Sequence, residues 1–167
     1  MWWRSTLATL VLALLLAGCG LRPLHMPVEG EAMHAGLAAI EIAAPKSRLG
    51  NELLNQLSAD LNPDGLSFPS RYRLDISLKR TRTALAIQLD DRVTRYDLSL
   101  AAFFSLIRLE DDRTVYRSAV RRVASYNVLR DPFATLVAEQ DADRRAAVEI
   151  SRQIRTLLAL KLAEEER

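Results

Sequence analysis

Residues 71–128 read RYRLDISLKRTRTALAIQLDDRVTRYDLSLAAFFSLIRLEDDRTVYRSAVRRVASYNV, and this stretch decides the fold. Tyr72, Leu74, Ile76 and Leu78 alternate with Arg71, Arg73, Asp75, Ser77 and Lys79, the period of a half-buried strand. The apolar phase then moves to odd positions at Leu85, Ile87 and Leu89. A bulge or break near Arg80–Thr83 would account for that flip, because a one-residue slip exchanges the two faces. Asp90-Asp91-Arg92 reads as a turn, and Tyr96, Leu98, Leu100, Ala102, Phe104 and Leu106 as the next long strand. Glu110-Asp111-Asp112-Arg113 turns again into a strand marked by Tyr116, Val120, Ala124, Tyr126 and Val128. Three long strands joined by short turns predict an antiparallel meander.

The flanks supply the covering layer. Leu37 to Ala44 is apolar apart from Glu41 and stops at Pro45, which reads as a short first strand. Ser47 is placed to N-cap a helix. Leu49, Leu53, Leu57 and Leu61 recur every four residues, with Leu54 alongside, and Asn62-Pro63-Asp64-Gly65 ends that helix. Asp131-Pro132 reads as a cap followed by proline in the first helical position. Phe133 to Ala163 holds no Gly or Pro, and Val137, Ala147, Ile150, Ile154, Leu157 and Leu158 lie near one face. One long helix is expected there. The order β-α-β-β-β-α predicts an α+β two-layer sandwich, a mostly antiparallel sheet with two helices on one face.

The chain starts with a secretory pattern: Arg4, an apolar run from Leu7 to Leu16 broken only by Thr9, then Ala17-Gly18-Cys19. The run is too short to span a bilayer as a helix. Leu16-Ala17-Gly18-Cys19 resembles the bacterial lipobox, which implies cleavage before Cys19 and acylation of its thiol and amine. Several acyl chains hold a protein on a membrane where a single one binds marginally. Gly20 rather than Asp follows, which by resemblance to lipoprotein sorting implies the outer membrane. The expected organisation is a signal peptide over 1–18, a lipidated tether over 19–36 and one domain over 37–167.

Composition limits the chemistry. The chain has 167 residues, one Cys and two His, with 23 basic and 21 acidic side chains. A net charge of +2 does not argue for nucleic acid. His25 and His34 both fall in the expected tether, so no base stands beside a nucleophile. No phosphate loop and no metal-ligand spacing is present. Asp90-Asp91 and Asp111-Asp112 fit turns better than a pair of catalytic carboxylates. The expectation is a protein that is not an enzyme and needs no metal or cofactor.

The charge is unevenly placed. Residues 71–130 carry 13 basic and 7 acidic groups, while residues 19–70 and 131–167 are net acidic. Lys79, Arg80 and Arg82 form one cluster, Arg121 and Arg122 another. A basic sheet points to an anionic ligand such as a lipid phosphate. The other reading of the same residues is a solvated face with charges that block sheet edges.

Three stretches carry a family resemblance. They are Gly18-Cys19-Gly20-Leu21-Arg22-Pro23-Leu24, Asp90-Asp91-Arg92-Val93-Thr94-Arg95-Tyr96-Asp97-Leu98, and Ala124 to Leu129 continuing through Asp131-Pro132-Phe133 to Ala142. Together the chain resembles the alphaproteobacterial LPS-assembly lipoprotein (LptE) family over nearly all of its mature length. His25 stands where that pattern has an aromatic residue. The resemblance implies an outer-membrane lipoprotein on the periplasmic side that plugs and helps assemble the LptD β-barrel and binds lipopolysaccharide. Given that role, the two basic clusters are the expected lipopolysaccharide contacts: Lys79, Arg80, Arg82, Arg121 and Arg122. Polar groups that core packing alone would not demand, at the strand start near Thr94 and the strand-to-helix junction, make Asp91, Arg92, Thr94, Arg95, Tyr96, Tyr126, Asn127, Asp131 and Phe133 the expected barrel contacts. For Asp131 and Tyr126, capping and core packing are equally open readings. A rival reading is an auxiliary lipoprotein of another envelope lipid-transport system of the ABC type.

Overall fold

The computed structural model describes residues 29–87 and 93–165. Cys19, Asp91, Arg92 and the expected Asp90–Arg92 turn lie outside the described residues. The order is α1 (Glu29–Ala38), β1 (Ile40–Ala43), α2 (Arg48–Leu61), β2 (Tyr72–Ile87), β3 (Val93–Arg108), β4 (Arg113–Asn127) and α3 (Pro132–Glu165). The four strands form one open mixed sheet in the order β1-β2-β3-β4. β1 runs parallel to β2, and the three long strands are an antiparallel meander.

The helices cover one face of this sheet. Leu53 and Leu57 of α2 and Ile150, Ile154 and Leu158 of α3 are fully buried with Leu74, Leu98, Leu100 and Leu106 from the strands. Each fully buried side chain of this kind stabilises the fold by about 1.5–3 kcal/mol. The Leu53-Leu57-Leu61 stripe is therefore buried in the shared core as its spacing requires. Ser47 caps α2 by accepting a hydrogen bond from the Gly50 N–H at 3.0 Å.

Four expectations need correction. The stretch read as the end of a tether is instead helix α1, which buries Leu37 at its C-terminal end and brings Gly36 against Leu162 of α3. β1 is correspondingly shorter than the apolar run, starting at Ile40. The register of β2 on β3 is unbroken through Arg80–Thr83, and the irregularity lies between Ala84 and Ile87. The inward phase survives at Arg80 and Arg82 because carboxylates of α3 meet them, so no flip is needed there; Leu85 is left 54% exposed. Val137 is likewise exposed rather than core: α3 meets the core at Ala138 and is fully buried only from Ala142 onward.

Candidate functional site

Strand alternation sorts the cations of the meander onto two faces. Arg80 lies opposite Leu100, which lies opposite Arg122, and all three belong to the face that the helices cover. Lys79, Ala101 and Arg121 form the neighbouring row on the other face. Each of the two basic clusters is therefore divided between the two faces of the sheet.

The covered face uses its arginines internally. Arg80 Nε donates to Asp143 Oδ1 at 2.8 Å, and the same guanidinium pairs with Glu139. Arg48 of α2 reaches the other oxygen of Asp143 at 2.8 Å, so one buried carboxylate ties a strand and two helices. Arg82 lies 3.6 Å from Glu139 and stacks over the Tyr96 ring at 4.7 Å from its centroid. Burial opposes ionisation of Glu139, but the Arg80 hydrogen bond and the charges of Arg80 and Arg82 outweigh it and hold its carboxyl below the ordinary range. Arg122 hydrogen-bonds Gln153 of α3. Charges with partners on all sides in a half-buried seam serve to hold α3 on the sheet.

The aromatic end of this seam contains several residues read as barrel contacts. Tyr96 and Tyr126 are cross-strand partners with ring centroids 5.7 Å apart. Tyr126 is 5% exposed, and no hydrogen bond reaches its hydroxyl among the described residues. Burial pushes that phenol up, against the pull of Arg82. The core reading of Tyr126 is thus met, and so is the capping reading of Asp131. Its Oδ1 accepts from the Phe133 N–H at 2.9 Å, and its backbone carbonyl accepts from Thr135. The Thr94 carbonyl accepts from the Val128 N–H at 2.9 Å, fixing the departure of β4 toward α3. Arg95 and Asn127 pair across the sheet and are exposed. Phe133 is 71% exposed on the first turn of α3, beside Leu129, Leu136 and Val137.

The uncovered face is different in kind. Lys79 and Arg121 flank Ala101, and Arg121 Nε donates to Ser99 Oγ at 2.7 Å. One row along, Ser77, Phe103 and Ala119 stand side by side, and Phe103 is 49% exposed. With Asp75, Ser105 and Arg117 they line a shallow open depression. An apolar floor flanked on one side by Lys79 and Arg121, and on the other by Asp75 and Arg117, suits a ligand with both apolar and anionic parts. Phe103 was legible as the apolar residue out of phase with Ala102 and Phe104. Asp143 was legible as the acid on the Ala142-Ala146-Ala147-Ile150 face of α3, although its partners were not. Among the described residues no group of side chains could hold a metal ion, and no helix is long and apolar enough to cross a membrane.

No protein-family profile matches the chain. A curated relative, an uncharacterized protein of Rickettsia prowazekii (strain Madrid E), is 24% identical over 151 residues, 90% of this chain and 93% of its own. Solved structures share the fold. A lipoprotein candidate from Caulobacter crescentus CB15 superposes with a TM-score of 0.68 at 29% identity, covering 80% of this chain and 97% of that one. The rare lipoprotein B of Shewanella oneidensis gives 0.58 at 11% identity, over 77% of this chain and 97% of its own. A minor lipoprotein of Acinetobacter baumannii gives 0.57 at 18%, over 72% and 91%. The structural neighbours are small bacterial lipoproteins.

Proposed function

We propose that the chain is an envelope lipoprotein, acylated at Cys19 and held on the periplasmic face of the outer membrane, that works in lipopolysaccharide export. In this reading it plugs the LptD barrel, helps it assemble, and binds lipopolysaccharide on its way to the outer leaflet. The observation that carries the lipid part is the uncovered row of Lys79 and Arg121 beside the apolar floor of Phe103 and Ala119. Two cations at that spacing can meet phosphates while the floor accepts acyl chains. Arg80 and Arg82 contribute by anchoring α3, since carboxylates already occupy them. The lipobox and the lipoprotein neighbours support the anchored location.

A rigid plug with polar outer faces suits the polar lumen of a barrel. The expected barrel contacts are Thr94, Arg95, Tyr96, Asn127, Asp131 and Phe133, with Asp91 and Arg92 outside the described residues; Tyr126, buried beside Tyr96, supports them from the core. Affinity purification of the acylated protein from native envelopes in mild detergent, with mass spectrometry of its companions, tests the reading. A stoichiometric large β-barrel together with lipopolysaccharide is expected. Recovery of an inner-membrane ABC transporter instead would favour an auxiliary lipoprotein of another lipid-transport system.

A further inference from the structure

β4 is a long free edge of the sheet: it has 15 residues and pairs with β3 alone. On the other side β1 covers β2 only from Tyr72 to Asp75, so β2 from Ile76 onward is an edge as well, and the charge along the two edges separates them. The register of β4 on β3 is continuous from Tyr116 to Asn127, so this part of the edge carries no bulge. Every second residue there turns its N–H and C=O away from β3. Arg145 of α3 takes the Ser125 carbonyl at 3.2 Å and Arg122 takes the Arg121 carbonyl at 2.8 Å, side-chain caps that an added strand would displace.

The charge along this edge has one sign. β4 contains Arg113, Arg117, Arg121 and Arg122 and no acidic residue. Among the described residues none of the four meets a carboxylate within ion-pairing distance. Every arginine of β2, by contrast, has a carboxylate partner: Arg73 with Asp75, Arg80 with Asp143 and Glu139, Arg82 with Glu139. Arg121 and Arg122 hydrogen-bond only neutral groups, Ser99 and Gln153 among them. Arg117 and Arg121 lie on the uncovered face about 13 Å apart, at about 3.3 Å per residue.

We infer that β4 is a docking edge for an extended acidic segment of a partner polypeptide, which adds to the sheet as a fifth strand. The open backbone groups supply the hydrogen bonds, and the arginines select the sequence. The same charges repel a second copy of β4, so edge protection and partner choice come from one set of residues. This inference goes beyond the lipid reading and needs neither acylation nor lipopolysaccharide.

The test is amide hydrogen exchange of the full mature chain with a synthetic peptide alternating valine with aspartate or glutamate. Slowed exchange of alternate amides between Tyr116 and Ala124 is expected, weakening as salt rises. The double variant Arg117→Glu, Arg121→Glu should bind that peptide more weakly by roughly tenfold or more, and bind a peptide with lysines at the acidic positions in its place. That swap can appear only in a folded variant. Unchanged β4 exchange with the acidic peptide overturns the inference, as does equal slowing by the lysine peptide on the parent chain. Binding of purified lipopolysaccharide that leaves β4 exchange untouched, with no response to the peptide, overturns strand addition while leaving the lipid reading intact.

Discussion

Arg80 on β2 and Asp143 on α3, 63 residues apart in the chain, meet through Nε and Oδ1 at 2.8 Å. Asp143 is 4% exposed and receives a second guanidinium from Arg48. A carboxylate so deep is tolerable only with both partners. Asp143→Ala should cost about 2–3 kcal/mol, because Arg80 and Arg48 lose their shared acceptor. Arg48→Ala, at the more exposed end, should cost under about 1 kcal/mol. Urea unfolding followed by circular dichroism measures both, and equal costs would show that the two pairs are not ranked by burial.

Charge reversal separates the two faces. Arg80→Glu places a third acid beside Glu139 and Asp143 and should destabilise the fold by about 2–4 kcal/mol. Arg121→Glu, on the uncovered face, should change stability by no more than about 0.5 kcal/mol. In the proposed function it should weaken lipopolysaccharide binding and flatten its salt dependence. Unchanged binding in a folded Arg121→Glu, Lys79→Glu double variant would remove that row from the lipid site.

The Glu139 ion pair makes stability depend on pH. Its folded pKa is depressed, so its contribution is present above the ordinary carboxylate pKa and is lost as pH falls through the folded value. Glu139→Gln should therefore lose about 1 kcal/mol at neutral pH and match the parent in strong acid. Denaturant midpoints across an acid series show this directly. A gap that persists in acid would assign the loss to packing.

Gly50 sits in the first turn of α2, where an added Cβ would fall on the Pro45 carbonyl oxygen, far inside van der Waals distance. Alanine gains up to about 1 kcal/mol in helix propensity. The clash with backbone should reverse that, so Gly50→Ala is expected to destabilise by about 1–3 kcal/mol. A thermal melt above that of the parent would mean that the Pro45–Ser47 turn yields freely.

Asp131→Ala removes the oxygen that accepts from the Phe133 N–H, and should cost about 1 kcal/mol if capping is its whole role. Loss of barrel association by the folded variant would add a contact to that role.

Much of the architecture follows from short-range pattern. The period-two runs at Tyr72–Leu78 and Tyr96–Leu106, the leucine stripe of α2, the Ser47 and Asp131 caps and the absence of breakers in α3 are local signals with local causes. They determine the elements, the meander and the α+β class. The resemblance to a lipobox at Cys19 equally rests on adjacent residues. Helix α1 was hidden because Glu29–Ala38 has little amphipathic signal and is held by its contact with α3. The phase of β2 past Leu78 was hidden for a related reason. An arginine at an inward position looks like a flip until Glu139 and Asp143, some sixty residues later, are brought against it. Only the tertiary structure could divide the basic meander into neutralised arginines under α3, an uncovered row at Lys79 and Arg121, and an unpaired edge along β4. Charge compensation acts through space, and the sequence records only which charges exist.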